Sequence, residues 1–328
     1  FYIIDKYSKD VHKVKNIGNV LFRFSFKANL MVLRSSIIIY DTSYLDLIRC
    51  NKKYLNHIKT VNIFHGIHAL KRISKENAQK RAENDNYIIA TSEYEKKIKK
   101  DWGFSDDRIF LTGLPRFDEL FRNKDMANKE NIIFYMPTWR PWFKRNFLNP
   151  GKKEIIEFQQ SDYFKKIIQL ATSEELNEIL KENDYILEIY IHKLMHRYLK
   201  KIQLNNKVSN IKFLSQDTNV QNQIIKSKML ITDYSSIVFD FLFLGKQVIL
   251  YQFDRKEYYE RTPGSYVDYN EIDSMIVTEF NDLLKAIKSK ITEGDALNNQ
   301  AKNLTEKFIK YHDDRNCFRV YSKLKELL

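Results

Sequence analysis

Lys228 to Gly245 (KMLITDYSSIVFDFLFLG) reads as a strand, a polar turn and an apolar helix in direct succession. Lys228 to Thr232 (KMLIT) is short, apolar and bounded by turn residues, as a strand buried in a parallel sheet is. Asp233, Ser235 and Ser236 are N-cap candidates for the apolar run behind them, which stops at Gly245. Such a turn aims free backbone N–H groups and the positive end of a helix dipole above the sheet, an arrangement suited to phosphate. Taken alone, the same pattern is the capped turn that every α/β domain carries.

Outward from this stretch, short β-branched or aromatic runs alternate with amphipathic, charged segments, the rhythm of βα units around a parallel sheet. Ser36 to Tyr40, Thr60 to Phe64, Tyr87 to Ala90 and Arg108 to Leu111 form a first set of predicted strands. Asn131 to Met136, Tyr185 to Ile191, Ile211 to Leu214, Lys228 to Thr232 and Gln247 to Gln252 form a second. The polar stretch Phe121 to Glu130 separates the sets, so a domain boundary is expected near residue 128, giving domains 1–128 and 129–328. Helical periodicity covers Ser161 to Asn183 and Glu279 to Ile291, and residues 298–328 read as one or two terminal helices. The expected class is α/β, two halves with a ligand cleft between them at the carboxyl ends of the strands.

The 328 residues suffice for two domains, and 43% hydrophobic content suffices for their cores. Two cysteines and no Cys/His cluster at zinc spacing argue against a disulfide framework or zinc module and fit a reducing cytoplasm. No run of eighteen apolar residues occurs, and Phe1 starts no signal-peptide pattern, which leaves a missing targeting segment open. The net charge of +13 favours polyanions, from phosphate-rich substrates to anionic lipid, or equally reflects lysine on every solvated face.

Four further elements carry candidate chemistry. His65 follows a predicted strand and precedes Gly66, on a turn that lets a ligand approach; imidazole can take a proton near neutral pH, although a lone histidine is more often structural. His192 follows the strand Tyr185 to Ile191 in the other half. The spacings His192/His196 and His65/His68 raise metal binding, but neither an HExxH pattern nor a supporting carboxylate accompanies them, so no metal is expected. Pro137-Thr138-Trp139-Arg140 leaves the strand Asn131 to Met136 and offers a guanidinium matched to phosphate oxygens, with Trp139 a packing residue before a base-stacking one. Thr112 to Asp118 (TGLPRFD) closes the first half, where Arg116 and Asp118 read by default as a structural ion pair.

In this order the elements resemble the CDP-glycerol:poly(glycerophosphate) glycerophosphotransferase family of teichoic-acid and capsule synthesis. The resemblance spans about residues 30 to 325 and rests on the HG turn at His65, TGxPRxD at Thr112 to Asp118, PTWR at Pro137 to Arg140, the strand-end His192, ITDYSSxxFD at Ile231 to Asp240 and a following segment that looks like Tyr251 to Asp268. The chain departs from it with Ile67-His68-Ala69-Leu70-Lys71 where the family has TPLK, and with His192-Lys193 for HP. The resemblance implies a GT-B-like fold of two Rossmann-type halves, an acceptor-side N-terminal domain and a C-terminal domain holding a CDP donor, with a terminal helix crossing back. It implies His65 and His192 as catalytic residues, and donor binding by Arg140, Pro137, Thr138, Thr232, Asp233, Ser235 and Ser236, with Gly66, His68 and Arg116 nearby. It implies transfer of glycerol or ribitol phosphate from the CDP-polyol, without a cofactor, to a lipid-linked or polymeric acceptor, releasing CMP at the anionic inner face of the cell membrane. The rivals are a GT-B nucleotide-sugar glycosyltransferase and a basic nucleic-acid-binding protein. The latter lacks any RNP-like or helix-turn-helix pattern, and no nucleic-acid partner is expected.

Overall fold

The structure, a computed structural model, describes residues 1–8, 11–15, 18–126, 130–146, 151–191, 195, 198, 208–294 and 296–328. The chain divides into two compact units that interleave in sequence: Phe1–Ile67, Ile73–Asp118 and Arg315–Leu328 form the first, and His68–Arg72 with Glu119–Asp314 the second. The change of unit thus falls between Asp118 and Glu119, earlier than the expected boundary at 128, which itself lies outside the described residues. The reason is local: Phe117–Arg122 is helical, so the polar stretch begins inside an element rather than in a linker.

In the first unit β1 (Tyr2–Ile4) and β2 (Val20–Phe22) make a small parallel pair. The main sheet is parallel in the order β3-β4-β5-β6, where β3 is Ile37–Tyr40, β4 Lys59–Asn62, β5 Tyr87–Ala90 and β6 Ile109–Leu111. Parallel neighbours need crossovers, and the helices Lys75–Asn84 and Glu93–Asp101 supply those around β5. Each starts at a serine, Ser74 or Ser92, whose hydroxyl accepts a backbone N–H of the first turn. Val32, Ile38, Tyr40, Leu55 and Ile58 are among the buried residues that pack under the β3 edge.

The second unit is built on six parallel strands in the order β12-β11-β10-β7-β8-β9. These are β7 (Glu130–Tyr135), β8 (Ile186–Ile189), β9 (Ile211–Phe213), β10 (Ser227–Thr232), β11 (Gln247–Tyr251) and β12 (Ile276–Val277). β10 and β11 are buried along almost their whole length, which is why they read as continuous apolar runs instead of alternating ones. Helices Asp162–Ala171, Glu174–Glu182 and Phe280–Glu293 contribute to the core around Ile133, Leu187, Ile231 and Ile249.

All nine predicted strands occur, most shifted by a residue or two at an end. The helical stretch Ser161 to Asn183 holds two helices, because Ser173 accepts the N–H of Leu176 and starts a new helix. Of the two terminal helices, Asn299–Phe308 belongs to the second unit and Asn316–Glu326 to the first.

Candidate functional site

The strand order of the second unit is that of a Rossmann sheet, with the chain reversing direction of travel between β7 and β10. These two strands are neighbours, with Tyr135 paired to Ile231, and β8–β9 extend one way while β11–β12 extend the other. A crevice opens outside the carboxyl ends of the strands at such a switch point, and ligands of doubly wound sheets bind there. Pro137 to Arg140 leaves the end of β7 and Thr232 to Ser236 the end of β10, so the sheet brings together two motifs almost a hundred residues apart.

Side chains stitch these loops together. Thr232 Oγ1 donates to the Met136 carbonyl (2.6 Å), and Asp233 Oδ1 accepts the N–H groups of Thr138 (2.8 Å) and Tyr234 (2.6 Å). Gln252 Nε2 donates to the Asp233 carbonyl (3.0 Å). Asp233 is thus committed to the loop junction and is not a helix cap. The helix begins only at Val238, its N-cap position is Ile237, and no side chain caps it. Ser235 and Ser236 are half-buried ahead of it, and among the described residues their N–H groups have no hydrogen-bond acceptor. Pro137 and Thr138 are buried, and Thr138 Oγ1 is a buried hydroxyl with no partner among the described residues.

Arg140 departs from the expectation that it faces a ligand. It is 0% exposed, and its guanidinium is held by protein groups. Nε and Nη2 donate to the two carboxylate oxygens of Asp254 (2.6 and 2.9 Å), while Nη1 donates to the Thr138 carbonyl (2.6 Å) and lies 2.8 Å from Asp233 Oδ2. The rings of Tyr163, Tyr234 and Tyr258 surround it at 4.6 to 5.4 Å, and Tyr234 stacks on Tyr258 at 3.5 Å. Burial disfavours its charge, but Asp233 and Asp254 outweigh burial and hold the guanidinium well above its ordinary pKa. Burial likewise pushes the Tyr234 and Tyr163 hydroxyls far up, so both stay protonated. Arg140 is the buried pin under the loops, a fully paired charge as burial demands. Asp254 and this aromatic cage were not singled out from sequence, although Tyr234 stands inside the quoted motif.

His65 lies in the first unit, exposed, just past β4. The preceding Phe64 is buried with φ +41°, a left-handed conformation uncommon for a bulky side chain. Its ring is held by Lys99 Nζ at 3.9 Å and edge-on by Trp102 at 6.1 Å, while Asn62 Oδ1 accepts the Phe64 N–H (3.0 Å). Lys99 is itself buried and paired with Glu95 (3.1 Å). The His65 carbonyl accepts from Arg116 Nη1 (2.6 Å), which gives Arg116 a backbone-fixing contact beside the imidazole. Asp118, its expected ion-pair partner, instead accepts the N–H groups of Asn316 and Cys317 (each 2.8 Å) and so caps the terminal helix. Gly66 is half-buried in the first unit and His68 half-buried in the second, while His192 and His196 lie outside the described residues. Among the described residues no group of three or more His, Cys, Asp or Glu is placed to hold a metal ion.

A family model described as CDP-glycerol:poly(glycerophosphate) glycerophosphotransferase matches residues 1–326. The chain belongs to this glycerophosphotransferase family. Among its relatives, the minor teichoic acid biosynthesis protein GgaB of Bacillus subtilis is 26% identical across 100% of this chain and 36% of its own length. The teichoic acid glycerol-phosphate primase of the same organism is 28% identical across 72% of this chain and 60% of its own. The chain therefore spans between about a third and three fifths of these two curated relatives. The wall teichoic acid polymerase TagF superposes with TM-score 0.67 at 19% identity, over 94% of this chain and 77% of that one. A UDP-GlcNAc 2-epimerase of Methanocaldococcus jannaschii superposes with TM-score 0.53 at 15% identity, over 90% and 78%. The glycerophosphotransferase fold here is accordingly GT-B-like, with two Rossmann-type units.

Proposed function

We propose that this family member transfers a polyol phosphate, glycerol or ribitol phosphate, from a CDP-activated donor to a hydroxyl of a teichoic-acid-type polymer or its lipid-linked primer. The observation that carries the reading is that two of the family motifs, PTWR and TDYSS, leave adjacent strands at the switch point of the second unit, in a chain the family model matches over residues 1–326. The donor pyrophosphate is taken there by the unpaired N–H groups of Ser235 and Ser236 and the orphan hydroxyl of Thr138, above the floor that Thr232, Asp233 and Arg140 fix. Relatives named as primase and polymerase of poly(glycerol phosphate), and a TagF structure soaked with CDPG, support this donor class.

In the reaction the acceptor oxygen attacks the phosphorus bearing the polyol. A new P–O bond forms, the P–O bond to the bridging oxygen of the pyrophosphate breaks, and CMP leaves with the bonding electrons. His65 takes the hydroxyl proton, on a backbone fixed by Phe64 and Arg116, and His192 is assigned to stabilising the charge that builds on the phosphates. The net charge of +13 suits an anionic membrane surface and a polyphosphate product. No helix among the described residues is long and apolar enough to cross a membrane.

The test is to incubate the protein with CDP-glycerol, CDP-ribitol and a set of UDP-sugars, with and without lipid-linked acceptor, and measure released nucleotide. Acceptor-dependent CMP release supports the reading. Release of UDP from a sugar donor, with none from CDP-polyols, replaces it with a glycosyltransferase.

A further inference from the structure

From the position and chemistry of one side chain at the switch point, we infer that Lys71 is a phosphate ligand of the donor site, supplying the mobile positive charge that the buried Arg140 cannot. This rests on the donor reading above and adds a residue to it. Lys71 lies in the turn His68 to Arg72, which follows His65 in sequence yet belongs to the second unit. Three contacts tie that turn down. The Ala69 carbonyl accepts from Tyr266 N–H (2.8 Å) and Ser265 Oγ (3.1 Å), and Arg72 N–H donates to the Gly264 carbonyl (2.7 Å).

Lys71 as a residue is half-buried, and among the described residues its ammonium has neither an ion pair nor a hydrogen bond. A partly desolvated charge is normally paired. The charged groups acting on it are Asp233, which favours its charge, and Arg140, which opposes it. Asp233 Oδ1 already accepts two backbone N–H groups and Oδ2 lies 2.8 Å from Arg140 Nη1, and Asp254 is taken by both prongs of Arg140. Arg72, the other cation of the turn, lies over Tyr266 at 4.9 Å. Burial, with Arg140 adding to it, brings the Lys71 pKa down to about 8 despite Asp233. An anion arriving beside Ser235, Ser236 and Thr138 would supply the counter-charge that the protein does not. An ammonium is a compact charge on a flexible stem, suited to following a phosphate as it changes charge, where a locked guanidinium is not.

The experiment is calorimetric titration of wild type, Lys71→Met and Lys71→Arg with CDP, UDP, inorganic pyrophosphate and cytidine. Removal of a charge-assisted contact should weaken CDP and pyrophosphate about 10- to 100-fold in Lys71→Met, leave cytidine unchanged, and weaken CDP less in Lys71→Arg. Wild-type affinity for CDP should fall as pH rises through about 8, since only the ammonium attracts the phosphates, and Lys71→Met should lack that fall. Lys71→Met strands no partner, so its melting temperature should equal or exceed that of wild type, which separates lost binding from lost folding. Equal pyrophosphate and CDP binding by wild type and Lys71→Met overturns the inference. If wild type prefers UDP and Lys71→Met loses it, the cytidine reading fails and Lys71 stands. If wild type binds none of the three anions, both fail.

Discussion

Two cations act on Asp233, and their fates differ because one is fully buried and the other is not. Arg140 cannot be spared, since without it Asp254 and Asp233 would be buried charges lacking a counter-charge and the Thr138 carbonyl would lose a donor. Arg140→Met should therefore lower stability by about 3–5 kcal/mol, read from urea unfolding, with weaker donor binding as a secondary effect. Unchanged stability would mean that Asp233 and Asp254 find other partners. The residue type at 140 was legible, because a guanidinium after a strand end seeks oxyanions. Its partner was not, because Asp254 stands 114 positions away and looks like any surface acid in QFDRKEYYE. His65 is the opposite case: exposed, after a strained Phe64, it carries no packing role that its removal would disturb. His65→Ala should lower turnover by about 10²- to 10⁴-fold while leaving CDP affinity nearly unchanged, whereas His68→Ala should not reproduce that split. Measuring both at saturating donor decides whether His65 is the base.

At the scale of elements, nine strands were legible from their β-branched or aromatic runs, the three-residue β6 and β9 among them, and three were not. β1, β2 and β12 have three, three and two residues and are wholly or largely outside the core, so no burial pattern marks them. Pairing also sets electrostatics that sequence spacing hides. β8 and β9 pair Glu188 directly with Lys212, an ion pair of 2.8 Å, and Lys226 approaches the same carboxylate at 3.4 Å. Burial raises the Glu188 carboxyl, but Lys212, Gln223 and Lys226 outweigh it and hold its pKa below the ordinary value. A group depressed in the folded state contributes stability above its unfolded pKa and loses it as pH falls through the folded value. Denaturation midpoints taken from pH 7 down to about 3 should therefore fall less steeply in Glu188→Gln than in wild type, and identical profiles would assign the acid sensitivity elsewhere.

At the scale of the whole molecule, the two-unit organisation was legible from the alternation of strands and helices, but the interleaving of the units was not, since it depends on contacts made from the far end of the chain. Residues 315–328 belong to the first unit because TGLPRFD receives them. Asp118 accepts the N–H groups of Asn316 and Cys317 and the Asn316 side-chain amide, each at 2.8 Å, at the start of helix Asn316–Glu326. Gly113, at φ +78°, leaves the room in which Asn316 sits; a Cβ there would lie 1.9 Å from Asn316 Oδ1. Gly113→Ala thus meets two obstacles, a left-handed backbone and a collision with a fully buried side chain. Together with loss of the Asp118 cap these should cost about 2–4 kcal/mol. Asp118→Ala keeps the room and removes only the acceptors, so it should cost less, about 1–2 kcal/mol. Both losses should appear first as faster amide exchange in residues 316–326 and in β5–β6, with β10 and β11 of the second unit still protected. If exchange instead rises equally in both units, the terminal helix is not a clasp of the first unit but part of one cooperative whole, and the division at Asp118 would have no meaning for stability.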